Sequence, residues 1–360
     1  MSLGAYWRDL ASGKRNGLLA RLVLALLVPP SLAYSLFQRL RAGLYRTGVL
    51  NTKRLPRSVI SIGNIAVGGT GKTPVTAYIA RLLLAQGLRV AVLFRGYGGT
   101  CEGQIKVVSD GSEVYLSANE CGDEPFLLAR TIPGLMVVIG SDRHAAGLLA
   151  MEHLKPDIFL LDDGFQHLRL HRDLNILLLD YFHPYGNGWG IPAGLLREPK
   201  GATLRADLVI HTRCPKNGAI TCCVPGKPAL AASHCLIDVL PLRGGGPLPF
   251  SNLLGHTFLA FAGIAQPEFF FSGLRERGID VVHTLTFPDH ADYDHVRLEA
   301  ITAALQSSGA EYAITTEKDG VKLKQLPDHM AAVTYVARLD IELEKPADLL
   351  SLVRNLLQKL

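Results

Sequence analysis

Between residues 58 and 213 the chain alternates short, unbroken apolar runs with longer stretches in which apolar residues recur every three or four positions. Ser58–Ile62, Arg89–Phe94, Met136–Ile139, Ile158–Leu161, Asn175–Asp180 and Leu208–Thr212 are predicted strands. Thr73–Gln86 and Asp142–Lys155 are predicted helices. Strands that are apolar on both faces and separated by helices predict a mostly parallel sheet covered on both sides. Residues 214–250 break this rhythm. They are rich in Pro, Gly and Cys and read as a linker region with a few short strands. From 251 to 360 a second, smaller α/β domain is expected. Its elements are strand Thr257–Phe261, helix Pro267–Arg277, strand Val281–Thr286, helix His295–Ser308, strand Tyr312–Thr315 and a closing helix from Pro346.

The first 57 residues follow neither pattern. Leu18–Phe37 is almost wholly apolar, with Arg21 inside it and Pro29-Pro30 across it. Its unbroken part, Leu22–Val28, is shorter than the roughly 20 residues of a spanning helix, and the prolines are expected to kink or end a helix. The segment therefore reads as an interfacial helix on a membrane surface. An ordinary buried helix and a secretory leader are the other readings. The glycine-rich stretch at residues 66–73 argues against export.

Charge sharpens this picture. The net charge is +5, yet ten of the 37 Lys and Arg and one of the 32 Asp and Glu lie within residues 1–57. The remaining 27 basic and 31 acidic residues leave the body mildly acidic. A basic arm can meet nucleic acid or anionic lipid, and the Leu/Val richness of this one favours lipid. A hydrophobic content of 48% over 360 residues suits packed cores in more than one domain. The six cysteines form no Cys-x-x-Cys pair, which argues against a structural zinc site and for reduced thiols.

The sharpest local signal is Ala66-Val67-Gly68-Gly69-Thr70-Gly71-Lys72-Thr73. It fits the P-loop pattern with Ala in place of the first Gly, after a predicted strand and before a predicted helix. The glycines let backbone N–H groups close on phosphate oxygens. Lys72 supplies charge to the β- and γ-phosphates, and the Thr73 hydroxyl is a magnesium ligand. ATP and Mg2+ are thus the expected cofactors. Ile158–Leu161 runs into Asp162-Asp163; an acid ending a buried strand is the usual second metal contact, so Asp162 is the first candidate and Asp163 a second ligand or a cap. Gln166 and His167 follow at the carboxyl end of the sheet, where ligands bind in open α/β folds. Three weaker signals are Arg95 in Arg95-Gly96-Tyr97-Gly98, the pair Asp123-Glu124 at a predicted helix start, and His290 in a loop. On the residues alone, dipole capping and a surface histidine suffice for the last two.

The ordered set of pieces resembles a known family. Gly63-Asn64 with the P-loop, Arg95-Gly96-Tyr97-Gly98, Gly122-Asp123-Glu124-Pro125, Asp162-Asp163-Gly164-Phe165-Gln166-His167, Gly188-Trp189 with Pro192-Ala193-Gly194, Arg197-Glu198, Phe287-Pro288-Asp289-His290 and Thr316-Glu317-Lys318-Asp319 occur in this order in the tetraacyldisaccharide 4'-kinase family of lipid A biosynthesis. The match runs from about Ser58 to Asp319. The resemblance implies a P-loop kinase that transfers the γ-phosphate of ATP to the 4'-hydroxyl of a tetraacyldisaccharide 1-phosphate. It implies action at the cytoplasmic face of the inner membrane, as a peripheral or monotopic protein. It implies that Asp123 and His290 activate the acceptor hydroxyl, that Arg95 joins Lys72 at the phosphates, and that Asp162, Glu124 and Glu198 lie near the metal. Arg197 belongs to the same site. Ala291-Asp292-Tyr293 is variable in the family, so nothing is implied there about acceptor contacts.

Two other classes remain for comparison. A membrane-cycling regulatory ATPase shares Gly-Gly-x-Gly-Lys-Thr, but places a lysine where this chain has Val67. A nucleic-acid-binding NTPase would need an aromatic and basic face that the sequence lacks. No nucleic acid and no obligate protein partner are expected.

Overall fold

A computed structural model describes residues 3–15, 17–216, 218–220, 223–289, 291–323 and 326–358; His290 and Cys222 lie outside them. Twelve strands form one sheet. In chain order they are β1 Val59–Asn64, β2 Val90–Phe94, β3 Lys106–Asp110, β4 Met136–Ile139, β5 Ile158–Asp162, β6 Leu174–Asp180, β7 Leu208–Thr212, β8 Ala229–Pro241, β9 Thr257–Ala262, β10 Asp280–Thr286, β11 Tyr312–Thr316 and β12 Thr334–Leu343. Their spatial order is β10-β9-β11-β12-β8-β7-β6-β1-β5-β2-β4-β3. Every pairing is parallel except β3 with β4 and β8 with β12.

The α-helices are α1 Leu3–Ala11, α2 Leu18–Arg46, α3 Lys72–Leu84, α4 Ala118–Cys121, α5 Asp123–Thr131, α6 Arg143–His153, α7 Pro267–Glu276, α8 His295–Ser308, α9 Glu317–Gly320, α10 Asp328–Ala331 and α11 Pro346–Leu357. Helix α3 covers one face of the central strands through Val75, Ile79 and Leu83. Helix α6 covers the other through Ala146 and Ala150. These central strands are buried along their whole length, as their unbroken apolar runs require.

Two expectations need correction. The 214–250 stretch is more than a linker with short strands. Its 13-residue strand β8 pairs parallel with β7 and antiparallel with β12, so a single sheet joins the two halves. The apolar run within Ala229–Val239 outweighs the Pro- and Gly-rich flanks. Leu349 and Val353 of the last helix also pack into the core formed by α3 and β1. The second correction concerns the prolines. Pro29 and Pro30 do not end the apolar helix, and α2 continues for 29 residues. At about 1.5 Å per residue it is roughly 43 Å long. Proline removes an N–H and leaves a carbonyl one turn back without its helical partner, a modest cost where the helix is held by contacts further along.

Candidate active site

Strand β1 delivers the chain to residues 66–71, and α3 begins at Lys72 with its N–H groups facing the turn. The turn is held on three sides. The Thr70 hydroxyl accepts a hydrogen bond from Asn64 Nδ2 at 2.6 Å, and the Thr70 carbonyl accepts one from Thr212 Oγ1 at 2.8 Å. The Val67 amide donates to the Leu195 carbonyl at 2.8 Å. Gly71 has φ +75°, and a side chain there would place its Cβ 2.6 Å from His234 Nε2, so the position admits glycine alone. The result is a fixed glycine-rich turn at the start of α3 with one lysine at its end.

Asp162 closes β5 and is buried, accepting a hydrogen bond from Thr76 Oγ1 at 2.6 Å. Burial first, then the Glu124 carboxylate, pushes its carboxyl up to about 7. Asp163 has φ +49°, which turns its side chain back toward the P-loop. It lies 3.7 Å from Lys72 Nζ and accepts hydrogen bonds at both oxygens from Arg197 at 2.8 Å. Burial alone would raise its carboxyl, but Lys72 and Arg197 outweigh that and hold it below the ordinary carboxylate range. Sequence reasoning missed Arg143. This buried arginine donates to the Gly140 carbonyl at 2.6 Å, and burial lowers it to about 10 while Asp162 and Asp163 act in the opposite sense. Its place at the start of a helix beyond a strand's carboxyl end was the available signal.

Gln166 spans the site, donating to the Asn64 carbonyl at 2.8 Å and accepting from Arg197 at 3.3 Å. Burial lowers His167 to about 4, so it is a neutral imidazole here. Two other candidates are engaged in ion pairs of their own. Arg95 is exposed and pairs with Glu102 at 3.6 Å. Glu198, expected near the metal, is buried in a 2.8 Å ion pair with Arg205. Among the described residues no three His, Cys, Asp or Glu side chains cluster as a metal cage.

Asp123 and Glu124 open α5. They meet side chains from the second half of the sheet: Asp123 pairs with Lys322 at 2.7 Å and Glu124 with Lys318 at 3.6 Å. Lys318 also lies 3.4 Å from Asp289. Asp289 thus comes to the α5 N-terminus through Lys318, while its neighbour in sequence, His290, is outside the described residues.

Helix α2 lies against the same neighbourhood. Ser31 Oγ donates to the Gly190 carbonyl at 2.7 Å, Tyr34 to the Arg197 carbonyl at 2.9 Å, and Arg41 to the Gln166 carbonyl at 3.2 Å. From α1, Trp7 donates to the Pro192 carbonyl at 2.7 Å. The other side of α2 exposes Leu18, Leu19, Leu22, Leu26, Leu32, Leu36, Phe37 and Leu40. It is long and apolar enough to cross a membrane.

Comparison with known proteins is consistent across the chain. The model of the family described as tetraacyldisaccharide-1-P 4'-kinase matches residues 23–358. A tetraacyldisaccharide 4'-kinase from Pelobacter propionicus is 60% identical over 358 residues, covering 99% of both chains. One from Geobacter metallireducens is 54% identical, covering 92% of this chain and 98% of its own. The crystal structure of the "apo" form of LpxK from Aquifex aeolicus in complex with ATP superposes with a TM-score of 0.78 at 34% identity, covering 93% of this chain and 99% of that one.

Proposed function

The chain belongs to the tetraacyldisaccharide-1-P 4'-kinase family, and we propose that it transfers the γ-phosphate of ATP to the 4'-hydroxyl of a tetraacylated disaccharide 1-phosphate in lipid A biosynthesis. The observation that carries this reading is a glycine-rich turn between β1 and α3, with Lys72 at its end and the buried Asp162 closing the neighbouring β5, inside a family match spanning residues 23–358. The regulatory ATPase is not favoured, since Val67 stands where it would need lysine.

The donor set fits ATP with Mg2+. Magnesium is ordinarily held by one or two carboxylates plus phosphate oxygens, so no multi-carboxylate cage is required. Thr73 and Asp162 would hold it, a hydroxyl and a buried carboxylate being oxygen donors of the kind that ion takes. When bound, the ion neutralises charge on the β- and γ-phosphate oxygens. Lys72 adds its ammonium at the same oxygens. Asp163, through Lys72 and Arg197, keeps both cations aimed into the cradle. Arg143 adds a fixed positive charge behind the two aspartates. Arg95 has to swing from Glu102 to reach phosphate.

At the acceptor, Asp123 takes the proton of the 4'-hydroxyl, with His290 as its partner. The hydroxyl oxygen forms a bond to the γ-phosphorus as the bond to the bridging β–γ oxygen breaks, and ADP departs with that oxygen. Gln166 and His167 offer a neutral hydrogen-bonding wall. Glu124 stands on the metal side, whereas the Arg205 pairing gives Glu198 a role in holding the segment below α2.

The acceptor's acyl chains require a lipid surface, and α2 supplies the contact. Ser31, Tyr34 and Arg41 press one side of the helix to the protein, leaving the leucine side for lipid. A helix lined by protein along one side suits a monotopic anchor. The basic residues from Arg39 to Arg57 support a position on the cytoplasmic side of the inner membrane. Phosphate transfer from γ-labelled ATP to purified disaccharide 1-phosphate in detergent micelles tests the reading; no labelled bisphosphate product would end it.

A further inference from the structure

Lys322 was singled out by no sequence pattern, and the reaction as described assigns it nothing. Its side chain is 7% exposed and that of Asp123 is 14% exposed, with Nζ 2.7 Å from Asp123 Oδ2. The same ammonium donates to the Ala291 carbonyl at 3.2 Å. Ala291 directly follows His290 in the chain. One buried cation thus touches the carboxylate that opens α5 and the backbone of the loop next to the histidine. These groups come from positions far apart in sequence and from opposite halves of the sheet.

The turn that presents Lys322 is itself fixed. Asp319 is fully buried. Its Oδ2 accepts from the Gly263 amide at 3.0 Å and from Thr316 Oγ1 at 2.7 Å, and its carbonyl accepts from the Lys322 amide at 2.9 Å. On the opposite side Gly122 is equally constrained: it has φ +92°, and a side chain there would place its Cβ 2.7 Å from the Tyr97 carbonyl oxygen. Both ends of the ion pair therefore rest on backbone that does not give way.

An ion pair removed from water is a poor source of net stability, because desolvation of both charges offsets most of their attraction. What it supplies is direction. We propose that Lys322 is a positioning residue of the acceptor side, orienting the Asp123 carboxylate and tying the Ala291 backbone to it. The inference rests on the reading of Asp123 as the group that takes the acceptor proton. Misplacing a reacting group by about 1 Å costs on the order of 10²-fold in rate.

The test uses the full-length protein in detergent micelles. Lys322→Met keeps the length and apolar stem of the side chain and deletes the charge. The expected result is a loss of kcat of about 10²-fold with ATP affinity, measured by calorimetry, within about threefold of wild type. Placed on top of Asp123→Ala, the same substitution should cost nothing further, because two residues acting in one step are not additive. A kcat within about threefold of wild type, or a loss that multiplies that of Asp123→Ala, overturns the proposal. So does a fall in ATP affinity parallel to that in kcat, which marks a residue that holds the fold. If Asp123→Ala alone retains full turnover, the base assignment fails instead, a result distinct from any of these.

Discussion

At the nucleotide side, Gly68–Thr73 lie next to one another in sequence, and the backbone itself makes the binding surface. At the proposed acceptor side, Asp123, Glu124, Asp289, Lys318 and Lys322 come from three separated segments and meet through ion pairs. The first arrangement forms whenever strand, turn and helix form. The second exists only when the two halves of the sheet are in place. The nucleotide cradle should therefore tolerate damage elsewhere, while the acceptor side should fail as a unit.

The severest test strikes the acceptor side. Asp123→Ala and His290→Ala should each lower turnover by about 10²–10⁴-fold, the usual worth of a general base, with ATP affinity little changed. The double variant should be scarcely worse than the poorer single one. Losses that multiply across the pair, read from turnover at saturating ATP and acceptor, would dissolve the unit.

On the nucleotide side, Lys72→Ala should cost about 10²–10³-fold, the scale of a lost electrostatic donor. The Asp123–Lys322 pair should be untouched, and the thermal transition should stay near that of wild type. A variant retaining more than about a tenth of wild-type activity would contradict the P-loop assignment.

A smaller effect probes the wall behind the cradle. His234 packs on Gly71, and burial first, then the Arg213 charge, lowers its imidazole to about 4 from 6.5. A base whose folded pKa is depressed contributes stability that is present above the unfolded value and lost as pH falls through the folded one. The melting temperature should fall by on the order of 5 °C between pH 6.5 and pH 4, and His234→Gln should flatten part of that fall. An unchanged slope in differential scanning calorimetry would remove His234 from the account.

The mildest effect on chemistry comes from deleting residues 1–40. ATP affinity should change by less than about threefold, since the cradle is held by Asn64, Thr212 and Leu195. Sedimentation with anionic vesicles should drop sharply. Undiminished pelleting would mean that lipid contact lies elsewhere.

The comparison also explains what could be read from sequence. The P-loop, the acid ending β5 and most parallel strands are local patterns, and residues within a few positions define them. Strand β12 escaped notice because Arg338, Asp340 and Glu342 alternate with its apolar positions, so it lacks the unbroken apolar run of the central strands, and its partner β8 lies about 100 residues earlier. Arg143 and Lys322 escaped for a related reason: their meaning resides in partners that no spacing along the chain reveals. The prolines of α2 misled because propensity describes an isolated helix, whereas Ser31, Tyr34 and Arg41 hold this one along its side.

The β8 strand carries a mechanical consequence. A door turns on a flexible pivot, but here the joint is a hydrogen-bonded ladder, with β8 zipped to β7 on one edge and to β12 on the other. The last helix is stitched back across the same seam through Leu349 and Val353. Any opening between Asp123 and the His290 loop must twist that ladder elastically, as a leaf spring flexes, with resistance that grows with displacement. Small excursions that return to one rest position follow from such a joint.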